Sequence, residues 1–199
     1  MLNKREHRTL RAVTLCATLL LGACGDNRSP EQYVEIARTH LAKSAYREAM
    51  IELNNALQKD PKNREARWLL AQTALELGEP DKAERDARKA IEYGFPRSEA
   101  LPLLVRAILM QQAPDRALTE LSTAAKDAPA AVQAQIASLR GSALLFKGDI
   151  DAAEAEFRAA QALVAFFSVA LVGLALLQSM RKNYDDARKS LAPVLDKQP

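Results

Sequence analysis

Two histidines, two cysteines and a few adjacent acids are the side chains of this 199-residue chain best suited to chemistry. Nucleophilic or acid–base catalysis needs such a group with a partner within hydrogen-bond reach. His7 and Cys16 lie in a basic and then apolar front segment, which leaves His40 and Cys24. His40 follows Ala37 by one helical turn and stands near Tyr46, which reads as a packed helix-face residue. One histidine and no spare thiol fall short of an ordinary zinc site. The sequence has no HExxH, GxSxG, GxxxxGK[ST] or GxGxxG motif. Asp149/Asp151 and Asp185/Asp186 precede helical patterns, where acids serve as caps rather than as a glycosidase pair. These residues predict a chain that binds without reacting, with no catalytic residue, metal or cofactor.

The elements follow from a ladder of small residues. Ala49, Ala83 and Ala117 are 34 residues apart; after a two-residue slip, Ala153 and Ala187 keep that interval. Seven residues after each stands Ala56, Ala90, Ala124, Ala160 or Val194. A period of 34 is one helix–turn–helix unit of a tetratricopeptide repeat. The prediction is an all-α, right-handed superhelical solenoid of about five such repeats, at 30–63, 64–97, 98–131, 134–167 and 168–199. Aromatics make up only 5% of the chain, which suits close helix packing better than a sheet. Small residues let helix axes approach, and Leu53, Leu121, Phe157 and Leu191 fill the space beside them. Pro80-Asp81 and Pro114-Asp115 suit helix starts, and Gly78 a helix end.

Two stretches depart from the pattern. Residues 159–180 carry no charge over a length that could span a bilayer. The repeat register instead divides that run between a helix end and the next helix, so solenoid core is favoured over a membrane span. The usual loop proline is replaced there by Ala165-Phe166-Phe167. The chain also stops at Pro199, where a further repeat or a polar capping helix is expected.

First helices of such units line the inner surface, at unit positions 2, 5, 9, 12 and 13. Arg38, Trp68, Gln72, Arg106, Met110 and Phe146 stand among these positions. Together they form the candidate concave groove for a peptide, a protein or a sugar chain. The competing reading is that Trp68 and Phe146 only pack between helices. Val34, Arg38, Trp68 and Gln72 replace the lysine and asparagines of a two-carboxylate clamp, so chaperone-tail binding is not expected.

Lys4, Arg5, Arg8 and Arg11 precede the apolar run Ala12–Leu21, which ends in Leu21-Gly22-Ala23-Cys24. This resembles the bacterial lipobox. The resemblance implies a cleaved signal peptide over 1–23, an acylated Cys24, and a tether over 24–30 ahead of a repeat domain over 31–199. Cys16 would leave with the signal. Aspartate stands at 26 rather than directly after the cysteine, which leans toward the outer membrane. The net charge of +3 belongs to this front segment. Removing its four basic groups from 28 and its one acid from 25 leaves 24 of each sign. A neutral remainder has no electrostatic footprint for nucleic acid.

After the lipobox, IELNNALQKDP and EARWLLAQTALELGEPDKAERDARKAIEYGFP resemble the tetratricopeptide lipoproteins of PEP-CTERM/exosortase sorting systems, the PrsT type. The likeness is closest over residues 24–121. It implies a non-catalytic, membrane-anchored periplasmic scaffold near exopolysaccharide production, with polysaccharide-export components as partners. Members carry many more repeats, so the chain is expected to match the N-terminal portion. The alternatives are a pilotin-like or secretin-assembly lipoprotein, and the binding module of a larger periplasmic enzyme.

Overall fold

The computed structural model describes residues 27–124 and 128–195. Among these residues ten helices and no strand occur. They are α1 Pro30–Leu41, α2 Tyr46–Lys59, α3 Arg64–Glu76, α4 Pro80–Glu92, α5 Arg97–Met110, α6 Pro114–Ser122, α7 Ala130–Lys147, α8 Ile150–Leu163, α9 Ser168–Met180 and α10 Tyr184–Leu195. The predicted signal peptide and Cys24 lie outside the described residues.

Local chemistry sets the helix ends. Ser29 begins α1 with a reciprocal capping box: its hydroxyl accepts from the Gln32 amide at 3.3 Å, and its own amide donates to Gln32 Oε1 at 2.8 Å. Asn63 caps α3 through the Ala66 amide at 2.9 Å. Proline opens α1, α4 and α6, where its missing N–H leaves no bond unmade. Gly148 closes α7 at φ +82°, a left-handed conformation that an L side chain would strain.

Each odd-numbered helix packs against the even-numbered helix that follows it. The ladder alanines lie in these seams: Ala49, Ala83, Ala117 and Ala153 are fully buried, and Ala187 nearly so. Leu53, Leu121 and Phe157 fill the core beside them, whereas Leu191 is only half-buried at the end of the stack. Removing one such leucine costs about 2–5 kcal/mol by transfer and cavity effects.

Neighbouring units meet asymmetrically. The first helices α1, α3, α5, α7 and α9 approach one another in succession, while among the described residues the backbones of no two second helices come within 8 Å. A stack whose first helices touch and whose second helices splay must curve toward the first. The odd-numbered helices therefore line the concave face.

One boundary differs from the periodic expectation. Helix α7 begins at Ala130, four residues before the predicted start of its unit, and runs for 18 residues. The two-residue slip is thus absorbed in a longer helix. The uncharged run 159–180 is split by a turn at 164–167 into the end of α8 and all of α9. Phe167 of that turn packs against buried Ala134, Ala137, Ala160 and Ala170. Among the described residues no helix is long and apolar enough to cross a membrane.

Candidate functional site

The concave face holds a cleft of about 570 Å³ between α5, α7 and the start of α9. Pro102, Arg106 and Met110 project from α5, Ser138 and Phe146 from α7, and Val169 from α9. Three of the predicted groove residues, Arg106, Met110 and Phe146, therefore share one cavity. Met110 and Phe146 are 46% and 51% exposed, so neither is spent on packing. Arg106 is exposed and forms no hydrogen bond or ion pair among the described residues. A guanidinium presents a planar fork of donors that suits a carboxylate or phosphate.

The other three are placed differently. Trp68 stacks on Phe95, with ring centroids 4.6 Å apart and planes at 23°. It also packs against the main core cluster, which ties α3 to the turn after α4. Trp68 is thus engaged in helix packing, whereas Phe146 is half exposed in the cleft. Gln72 is half-buried on α3. Arg38 forms an ion pair with Glu65, joining α1 to α3 across the same face. Its charge is already compensated there.

Sequence reasoning missed five positions. Val169, Val172, Leu176 and Met180 make an exposed apolar stripe along α9. They occupy unit positions 2, 5, 9 and 13 of the fifth repeat, so counting from Ser168 would have found them. Ser138 lines the cleft fully buried, and its Oγ has no hydrogen-bond partner among the described residues. Only packing could reveal that.

Several of the titratable groups take part in helix caps, turns and ion pairs. His40 is half-buried on α1, and its carbonyl accepts from the Lys43 and Ala45 amides in the turn. Asp149 caps α8 through the Ala152 amide at 3.4 Å. Asp151 pairs with Arg181 at 3.0 Å, and Asp186 with Lys189 at 3.3 Å. On the convex side, burial pushes the Glu84 carboxyl up, but hydrogen bonds from Gln111, Arg88 and Arg116 outweigh it and hold it below the usual value. Glu120 behaves alike: burial raises it, and Arg88 and Arg97 lower it further. Among the described residues no three histidine, cysteine or acidic side chains gather to hold a metal ion.

Family profiles described as Tetratricopeptide repeat match residues 40–91, and also 69–132 and 138–199. No curated protein matches the sequence. Among solved structures, PilW, described as a widely conserved type IV pilus biogenesis factor, is 21% identical with a TM-score of 0.71, covering 85% of this chain and 79% of its own. TTC0263, a thermophilic TPR protein of Thermus thermophilus, is 23% identical with a TM-score of 0.69, covering 86% and 92%. YrrB, described as a TPR protein with an unusual peptide-binding site, is 18% identical with a TM-score of 0.60, covering 84% and 86%. At these identities the likeness establishes the fold alone. The profiles, which together span more than half of the sequence, and the stacked helix pairs place this chain in the tetratricopeptide repeat family.

Proposed function

We propose that this protein is a non-catalytic scaffold that holds a protein or peptide on its concave face while a lipid on Cys24 tethers it to a membrane facing the periplasm. The observation that carries the binding half is the cleft shared by Arg106, Met110 and Phe146, where a cation with no ion pair among the described residues stands beside exposed apolar side chains. Proteins of this repeat family serve as interaction scaffolds, and YrrB is described as having a peptide-binding site. The tether half rests on the lipobox resemblance at Leu21–Cys24 and on the positive segment before it. Three acyl chains, at about 0.8 kcal/mol per buried methylene, would anchor the chain firmly.

The likeness to PrsT-type lipoproteins makes exopolysaccharide export or PEP-CTERM protein sorting the preferred setting, with export components as partners. A second reading, assembly of a pilus or secretin channel, is favoured by the structural likeness to PilW. Deletion of the gene separates them. Loss of surface polysaccharide or protein sorting with normal piliation supports the first, and loss of pili alone supports the second. Cys24→Ser should abolish lipid labelling and release the protein from membranes; retention would overturn the anchor. Gln72→Ala with Arg106→Ala, kept folded, should weaken partner capture, and unchanged capture would count against the groove.

A further inference from the structure

The concave face changes character along the stack. In the first two units it presents Arg38, Glu65, Gln72 and Glu76. In the last three it presents Met110, Phe146, Val169, Val172, Leu176 and Met180, each about half exposed. Among the polar groups in the cleft of that apolar half, Arg106 has no ion pair among the described residues, and Ser138 keeps its hydroxyl buried and unbonded among them. We propose that this half of the groove docks an amphipathic helix of a partner protein, apolar face inward, with one carboxylate of that helix set against Arg106. The inference rests on the concave face being the binding face.

The helical form follows from the wall. The long walls of the cleft are helix faces of α5 and α7, whose interior backbone groups are consumed internally, and Phe167 of the 164–167 turn and the first turn of α9 close one end. An extended chain laid along those walls would leave many of its own amides and carbonyls without partners. A helix carries its backbone bonds with it. The α9 stripe runs from Val169 to Met180 at steps of three, four and four residues, about 16 Å along the axis. An apolar face with anchors at the same spacing can lie along it.

The carboxylate follows from charge. An apolar face laid over Arg106 would remove water from a cation with nothing in return, which is costly. A carboxylate at that place replaces the lost hydration by a charge-assisted bond and excludes partners carrying lysine there.

The test uses the full chain and a synthetic peptide of about 15 residues, built from Leu, Ala and Gln with apolar residues at helical spacing and one central Glu. A twin peptide carries Lys in place of the Glu. Binding is read by fluorescence anisotropy, and peptide helicity by circular dichroism. The Glu peptide should bind about tenfold tighter than its twin and gain helicity. Arg106→Glu should invert the preference. Phe146→Ala with Leu176→Ala should weaken both peptides at unchanged melting temperature, since both side chains are exposed. Glu76→Ala should change neither peptide's affinity. No binding, binding without helicity, or a preference indifferent to Arg106→Glu overturns the proposal. If instead phosphatidylethanolamine–phosphatidylglycerol vesicles bind through Phe146 and Leu176, the occupant is lipid and the proposal also fails. Capture of the native partner that depends on Gln72 but not on Phe146 would leave the concave face as the binding face while removing this half of it. Capture indifferent to both would remove both.

Discussion

Phe157 shows how single residues fix this fold. Its ring is buried where α7, α8 and α9 converge, and two glycines make room for it. A Cβ placed on Gly173 would stand 2.5 Å from the ring, and one on Gly141 2.9 Å. Alanine is the better helix former by about 1 kcal/mol, so helix propensity alone favours Gly173→Ala. Overpacking costs about 1–3 kcal/mol, and 2.5 Å is far inside contact distance, so crowding wins. Gly173→Ala should therefore lower stability in urea unfolding, and Phe157→Leu in the same chain should recover part of the loss. Stabilisation by Gly173→Ala would contradict the packing. The alanine ladder was legible in the sequence because burial of small residues repeats at fixed spacing. The role of Gly173 was not, because it depends on a ring supplied by another helix. The contacts of Arg38 and Trp68 show the same dependence on distant residues. Their partners Glu65 and Phe95 lie 27 residues along the chain, in the next unit or the turn before it.

At the scale of helices, charge joins what alanine packs. Glu84 on α4 accepts from Gln111 Nε2 at 2.8 Å and from Arg88 Nε at 3.0 Å, and Arg116 of α6 pairs with it as well. Arg88 and Arg97 both reach Glu120 on α6 at 2.7 Å. The second and third units are thus tied on their convex side, where their second helices splay. Both carboxyls are held below their usual 4.5 in the folded state, so they bind fewer protons there than in the unfolded chain. Their contribution is complete above the unfolded value and is lost as pH falls through the lower folded value. Urea midpoints should therefore drop on acidification below about pH 4.5. Glu84→Gln should be less stable at neutral pH and show a shallower acid-side loss; an equally steep loss would remove Glu84 from that role. Sequence periodicity located these helices well but misplaced the start of α7. Counting placed the two-residue slip between the third and fourth repeats, whereas Pro129 at the N-cap is followed by Ala130 and Ala131, which begin α7 earlier.

The whole molecule is a curved stack, and its use follows from which face is left unfilled. First helices in mutual contact form an inner wall that begins charged and ends apolar, while the second helices α4 and α6 reach one another through ion pairs. Period and composition together predicted such a stack. They reached Arg106, Met110 and Phe146 of the cleft, because these hold regular unit positions. The α9 stripe escaped notice because its residues sit in an uncharged run that reads first as core. The most direct measurement is site-specific photocrosslinking in the living cell. A photoreactive residue at Met110 or Phe146 on the inner wall should give a discrete protein adduct, and one at the exposed Ala155 or Arg188 on the outer helices should not. Adducts from the outer positions alone, with none from the inner wall, would contradict the account.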